Sequence, residues 1–113
     1  GVAEVMNLIG DVEGKTAILI DDIVDTAGSL CEGAKALARL GANEIYAVCS
    51  HAILTDPAIE RINASALKQL IVTDTIPLGD KKSDKIVVLT IADAIGDVLI
   101  SIQDHRSVSH LFR

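Results

Sequence analysis

Short apolar runs alternate with polar, glycine-containing segments along most of the chain. The runs are rich in valine, isoleucine and leucine, which is typical of strands that are buried on both faces of a sheet. Between them, apolar residues recur at helical spacing. The pattern predicts an α/β domain with a mainly parallel sheet of about five strands and helices on both faces. Strands are predicted at Val5–Ile9, Thr16–Asp22, Glu44–Ser50, Gln69–Thr73 and Ile86–Leu89.

The first predicted helix runs from Ser29 to Leu40, because apolar residues in this segment share one face. Gly41 follows as the expected C′ residue, which ends the helix. Gly33 lies inside the helix and weakens it by about 1 kcal/mol relative to alanine, unless it permits close packing on the sheet.

Two further helices are expected. One begins at Asp56, the expected N-cap, with Pro57 at the first helical position. The other runs from Ala92 to Ile102, and its apolar face is expected to pack on the strand Ile86–Leu89.

The most informative stretch joins the second strand to the first helix. Asp21 and Asp22 follow the apolar run directly, and a small polar turn comes next. A buried strand, a tight turn and a helix start are the arrangement of a phosphate site in an open α/β sheet. Backbone amides would bind the anion, small side chains would admit it, and two hydroxyls would add donors. The turn consists of Asp25, Thr26, Ala27, Gly28 and Ser29.

The two adjacent carboxylates repel phosphate but suit the rest of a sugar phosphate. Carboxylates accept hydrogen bonds from ribose hydroxyls and hold Mg²⁺ directly or through water. Alternation along a strand would send Asp21 and Asp22 to opposite faces. The alternative is that these acids and Asp25 only end the strand and begin the turn. No lysine or arginine lies between Thr16 and Lys35, so the anion is held by amides and hydroxyls or by a cation from elsewhere.

Composition excludes several classes of protein. The net charge is −6, which argues against a general nucleic-acid or anionic-membrane surface. No apolar run approaches the ~20 residues of a membrane span. Cys31 and Cys49 lie far apart without a metal-binding pattern, which indicates small buried thiols of a cytoplasmic protein.

Two other polar features leave alternatives open. His51 follows the third strand, at the sheet edge where ligands bind, but a hydrogen-bonded loop histidine fits equally well. The lysines at 81, 82 and 85 could contact phosphate, although the pattern favours a solvated loop.

The segment DDIVDTAGS, residues 21–29, resembles the phosphoribosyl-pyrophosphate motif of type I phosphoribosyltransferases and ribose-phosphate pyrophosphokinases. The neighbouring segments KALARLGANEIYAVCSHAIL, IVTDTIPL and SVSHLF resemble ribose-phosphate pyrophosphokinases alone, in the same order. The resemblance covers essentially the whole chain. Asp74 stands where that family is expected to have asparagine, which replaces a neutral amide by a charge.

The resemblance implies a phosphoribosyltransferase-like fold and an Mg²⁺-dependent reaction of ATP with ribose 5-phosphate that gives phosphoribosyl pyrophosphate and AMP. Asp21 and Asp22 would handle the ribose and Mg²⁺, and the turn from Asp25 to Ser29 would bind the 5-phosphate. It further implies that residues 1–113 are an incomplete carboxyl-terminal domain. An amino-terminal domain and a loop with the catalytic Lys and Arg would precede Gly1.

The resemblance also implies a cytoplasmic homo-oligomer, a dimer or hexamer. Ser107, Val108 and Ser109 would then help to shape a regulatory nucleotide site, although a tail packed only on its own domain fits the sequence as well. We expect little kinase activity from these residues alone. Two rivals remain: a phosphoribosyltransferase, which consumes the activated sugar, and a non-catalytic regulatory homologue.

Overall fold

The computed structural model describes residues 10–112, and the strand expected at 5–9 lies outside the described residues. Four strands form one sheet in the order β1-β2-β3-β4, and every neighbouring pair is parallel. The predicted α/β class with a parallel sheet is therefore confirmed. The strands are β1 Thr16–Val24, β2 Glu44–Ala52, β3 Gln69–Thr73 and β4 Ile86–Leu89.

The helices connect and follow these strands. The first two lie in the β1–β2 and β2–β3 crossovers, which parallel pairing requires. A short 3-10 helix, Ser109–Phe112, ends the described chain. The α-helices are α1 Gly28–Arg39, α2 Ala58–Ala64 and α3 Ala92–Gln103.

One face of the sheet carries the core. Side chains of β2 and β3 on this face pack with α1 and α2 in a single buried cluster. On the opposite face, Ile18 is 60% exposed and Ile20 is 83% exposed. Among the described residues, the largest fully buried side chains are Leu54, Ile62, Leu67, Leu70, Val72 and Cys49.

The end of α1 follows the prediction. Gly41 has a φ of 93°, the left-handed region that glycine adopts without strain. Its amide donates to Ala38 O at 3.0 Å and the Ala42 amide donates to Leu37 O at 3.1 Å. These two bonds are those of a Schellman motif, so Gly41 ends the helix as expected.

The starts and contacts of the other helices differ from the prediction. Asp56 is not the N-cap of α2: Pro57 occupies that position, and its carbonyl accepts the Arg61 amide at 3.0 Å. The predicted packing of α3 on β4 is also wrong, since Ile95 and Leu99 of α3 are exposed. Helical periodicity shows which face a helix can bury, but not which element covers that face.

Candidate functional site

The turn between β1 and α1 lies at the carboxyl edge of the sheet. β1 continues to Val24, beyond the predicted end at Asp22, because Ile23 and Val24 pair with residues of β2. α1 begins at Gly28, one residue earlier than predicted. Asp25, Thr26 and Ser29 are exposed and Ala27 is buried. The strand, the turn and the helix start therefore follow one another as the sequence predicts.

The backbone amides at the start of α1 have no acceptors among residues 10–112. The first bond of the helix joins the Cys31 amide to Ala27 O at 3.0 Å. Val24 O, which a longer helix would use, accepts the amides of Ile53 and Leu54 instead. No side chain caps the helix. The amides that remain free to bind an anion are those of Ala27, Gly28, Ser29 and Leu30.

Ala27 has an unusual backbone conformation, with φ 64° and ψ 13°. This left-handed conformation costs a non-glycine residue roughly 1–2 kcal/mol. Strain of this kind is found at functional sites, where the surrounding structure maintains it. In this turn it accompanies the change of direction from β1 into α1.

The two carboxylates lie beside the turn and each accepts a backbone amide. Asp21 Oδ1 accepts the Asp22 amide, and Asp22 Oδ1 accepts the Ile23 amide, both at 2.8 Å. Asp22 lies between two paired residues, Asp21 with Cys49 and Ile23 with His51, and has no partner itself. The register of β1 on β2 is the same on both sides of Asp22, so this gap in the pairing does not by itself disturb the alternation of the two side chains. The hydrogen-bonding Asp21 carboxyl, followed by the Ile23 amide, lowers the pKa of Asp22.

The carboxylate pair fits Mg²⁺ held with the help of a substrate. Among residues 10–112, no group of three or more histidine, cysteine or acidic side chains converges on one point. A closed protein cage for a metal is therefore not found in the described part. Mg²⁺ is commonly held by one or two carboxylates together with water and substrate oxygens. Asp21 and Asp22 can provide the two carboxylates.

His51 is held at the same edge by a hydroxyl network. Its Nδ1 lies 2.8 Å from Thr75 Oγ1, and that hydroxyl donates to Ser50 O at 2.9 Å. Because the Thr75 proton is directed at the carbonyl, His51 Nδ1–H is assigned as the donor to Thr75. The structure thus agrees with the hydrogen-bonded alternative, although His51 lies in β2 and not in a loop.

Arg61 of α2 is a cation at the turn that the sequence did not identify. Its Nη1 donates to Thr26 O at 3.1 Å. A Cβ atom built at Gly28 would lie 3.2 Å from the same Nη1. Arg61 thus occupies the space that the missing side chain leaves, which was expected to be left for the ligand. The sequence does not indicate the contact between Arg61 and Thr26, because the two residues lie on different elements.

Asp74 connects the end of β3 to the start of α3. Its Oδ1 accepts the Ile91 amide at 2.9 Å, and its own amide donates to Leu89 O at 3.1 Å. The Ile91 amide and then the Thr90 hydroxyl lower the pKa of Asp74. An asparagine Oδ1 could accept the same bond, which explains how aspartate can stand at this position.

The remaining candidates lie away from these contacts or are structural. Ser107 Oγ accepts the Ser109 amide at 3.2 Å, at the entry to the 3-10 helix, and Phe112 is 77% exposed. Lys85 donates to Ser65 O at 2.9 Å and so secures the end of α2.

Both cysteines are free thiols; Cys49 is buried, as predicted, whereas Cys31 is only half-buried. Burial raises the pKa of Cys31 and of Cys49, so both stay protonated at neutral pH. No helix in the described range 10–112 has the length and apolar character needed to cross a membrane.

The fold and the site define an α/β domain with a parallel sheet, and comparison with solved structures supports the same class. The chain is similar to the crystal structure of phosphoribosylpyrophosphate synthetase from Mycobacterium smegmatis, with a TM-score of 0.82 and 34% sequence identity. The match covers 86% of this chain and 33% of that one. Residues 3–113 match the model of the phosphoribosyl synthetase-associated domain, and the chain belongs to that family.

Curated relatives agree with this assignment. The ribose-phosphate pyrophosphokinase of Oceanobacillus iheyensis is 55% identical over 112 residues, which is 98% of this chain and 35% of that protein. Ribose-phosphate pyrophosphokinase 1 of Lactococcus lactis is 54% identical over the same length. The chain thus spans about a third of the length of these relatives. The family resemblance of the sequence is confirmed.

Proposed function

We propose that this chain is the carboxyl-terminal, ribose-5-phosphate-binding domain of a ribose-phosphate pyrophosphokinase. The whole enzyme transfers a pyrophosphoryl group from ATP to the 1-hydroxyl of ribose 5-phosphate, which gives phosphoribosyl pyrophosphate and AMP. The observation that carries the proposal is the set of amides from Ala27 to Leu30, which have no acceptors among the described residues and lie beside two carboxylates. Membership of the family and the names of the relatives support the same reaction.

The turn binds the 5-phosphate through its main chain. Successive amides converge on an anion, and the positive end of the α1 dipole adds typically ~0.3–1 kcal/mol. The exposed hydroxyls of Thr26 and Ser29 provide two further donors. Asp25, at the start of the turn and exposed, is assigned a supporting role for the turn near the sugar ring and not the role of a general base.

Asp21 and Asp22 bind the rest of the sugar. Their carboxylates accept hydrogen bonds from the ribose hydroxyls and hold Mg²⁺ directly or through water. When bound, Mg²⁺ neutralises charge on the phosphoryl groups. The low pKa of Asp22 keeps this carboxylate ionised, as both roles require.

The reaction depends on alignment more than on covalent chemistry by these residues. The 1-hydroxyl attacks the β-phosphorus of ATP, the bond from that phosphorus to the AMP oxygen breaks, and the hydroxyl proton is lost. The turn binds the 5-phosphate and the two aspartates bind the ribose hydroxyls, so the sugar is held in one orientation towards ATP. The ATP-side groups and the catalytic Lys and Arg belong to segments outside these 113 residues, so the chain alone binds the sugar phosphate but turns over little.

The proposal includes a cytoplasmic homo-oligomer, a dimer or hexamer, in which Ser107, Val108 and Ser109 contribute to a regulatory nucleotide site. The exposure of Phe112 next to this segment supports a contact made outside the chain.

Calorimetric titration of the chain with ribose 5-phosphate and with ribose tests the phosphate site. We expect binding of the phosphate ester and no measurable binding of the free sugar. Gly28→Val should weaken binding strongly, because the new side chain crowds the turn and displaces Arg61. Gly96→Val is the matched control, since a Cβ atom at position 96 meets nothing within 4 Å. Equal affinity for both sugars would remove the turn from the mechanism.

Asp22→Asn tests the role of the carboxylate pair. The variant should keep the fold and bind ribose 5-phosphate, but the gain in affinity on adding Mg²⁺ should be lost. If the Mg²⁺ effect survives unchanged, this carboxylate has only a structural role within β1.

The reaction is tested on a full-length protein that contains these 113 residues and is as long as the curated relatives. Release of AMP from ATP and ribose 5-phosphate is the expected result. Release of pyrophosphate from phosphoribosyl pyrophosphate and a base would show a phosphoribosyltransferase instead. Substantial turnover by the 113-residue chain alone would contradict the proposed location of the catalytic groups.

A further inference from the structure

The carbonyl of Thr26, just before the N-cap of α1, is bound by a side chain of another helix. Thr26 precedes the N-cap Ala27, so the bonds of α1 begin with the Cys31 amide on Ala27 O and no amide of the helix binds Thr26 O. Arg61 Nη1 binds Thr26 O instead, at 3.1 Å. The turn therefore depends on α2 for the orientation of this peptide group.

The orientation of that carbonyl determines the orientation of an amide. The peptide bond between Thr26 and Ala27 is trans, and in a trans peptide the C=O and the next N–H point in opposite directions. A guanidinium that holds Thr26 O on the α2 side therefore holds the Ala27 N–H on the other side of the turn. Ala27 is also the residue with the left-handed, strained backbone, so its conformation needs such a restraint.

The charge of Arg61 is available to act on the turn. None of the ion pairs found among residues 10–112 includes Arg61. A cation on a carbonyl polarises the peptide group, which makes the amide on its other end a stronger donor. Gly28 completes the arrangement, because a Cβ atom there would lie 3.2 Å from Nη1 and the guanidinium would have to shift.

We propose that Arg61 is a positioning residue for the ribose 5-phosphate site, which it serves by fixing and polarising the Thr26–Ala27 peptide group. The inference rests on the proposed function. Arg61 acts through the turn and does not itself touch the phosphate. It provides the cation that the sequence of the turn lacks, from a helix that lies beyond the next strand.

Substitution of Arg61, compared with a second cation in the same cleft, tests this role. Arg61 and Lys35 line one open cleft beside the turn, with Thr26, Gly28 and Ser29 on its wall. Arg61→Met removes the donor and keeps an apolar stem. Lys35→Met removes an equal charge without removing a hydrogen bond to the turn. Arg61→Lys keeps a donor for the carbonyl but loses the planar guanidinium.

The first measurement is the affinity for ribose 5-phosphate by calorimetry. Loss of a hydrogen bond from a charged donor should weaken binding about tenfold or more in Arg61→Met. Lys35→Met, which changes only a solvent-screened charge, should change affinity by less than about twofold. Arg61→Lys should recover part of the loss.

The second measurement follows the turn without ligand. The amide proton–nitrogen cross peak of Ala27 should move in Arg61→Met and stay near its parent position in Lys35→Met. A merely structural loss would shift peaks throughout α2 and lower the melting temperature, whereas the expected change is confined to the turn.

The outcomes separate this inference from the proposed function. If the parent chain does not bind ribose 5-phosphate, the proposed function fails and the role of Arg61 fails with it. If the parent binds and the Arg61→Met and Lys35→Met variants weaken binding equally, the site stands and Arg61 acts only as a general charge. An unmoved Ala27 cross peak in Arg61→Met also overturns the inference.

Discussion

Replacing Gly33 by alanine is expected to stabilise the fold, although this glycine lies in the middle of α1 and faces the sheet. A Cβ atom at position 33 would lie 3.7 Å from Leu19 Cδ1 and 3.8 Å from Cδ2, which is ordinary van der Waals contact. Alanine improves helix propensity by about 0.8–1.0 kcal/mol. The new methyl group adds a fraction of the ~0.8 kcal/mol of a fully buried methylene. The sum is roughly 1–1.5 kcal/mol, or about 5 °C in melting temperature.

Urea unfolding followed by far-UV circular dichroism measures this change, and Gly96→Ala is its control. A Cβ atom at Gly96 of α3 meets nothing within 4 Å, so this variant reports helix propensity alone. The difference between the two variants isolates the contact with Leu19. If Gly33→Ala lowers the free energy of unfolding while Gly96→Ala raises it, α1 lies closer to β1 than the structure has it, and the reasoning fails.

Three further predictions concern single positions. Gly41→Ala should lower the free energy of unfolding by roughly 1–2 kcal/mol, because its φ of 93° is strained for alanine and its Cβ would lie 3.0 Å from Glu13 Cγ; an unchanged urea midpoint would contradict this. The folded-state pKa of Asp74 is lowered from the ordinary value of 3.8. The ionised carboxylate therefore adds to the free energy of unfolding above pH 3.8, and this contribution is lost as the pH falls through the lower folded-state pKa. The stability difference between the parent and Asp74→Asn should therefore be constant near neutral pH and shrink at acid pH, and a difference that grows on acidification would refute the sign. Cys49, which is 1% exposed, should react with a thiol reagent only on unfolding, and rapid labelling of the native chain would show that β2 opens.

The sequence identified features that local chemistry decides. β3 and β4 have the predicted bounds, since polar residues and turns limit both apolar runs. Gly41 ends α1 because few residues other than glycine adopt the left-handed conformation there. The order of strand, carboxylates, turn and helix at the candidate site follows from the same local signals.

Features that depend on another element were not predictable. β1 extends to Val24 because Ile23 and Val24 find partners in β2, and no local residue specifies that pairing. The contact of Arg61 with Thr26 joins residues 35 positions apart, on α2 and on the turn. The exposure of the α3 face is likewise a property of the packing, not of the helix.

The open face of β1 has a consequence for how the chain behaves in solution. With Ile18 and Ile20 exposed on β1, apolar side chains are open to contact with another copy of the chain. At neutral pH the net charge of −6 opposes contact between copies through mutual repulsion. That repulsion vanishes near the isoelectric point of 4.8, so solubility should pass through a sharp minimum there and recover on the acid side.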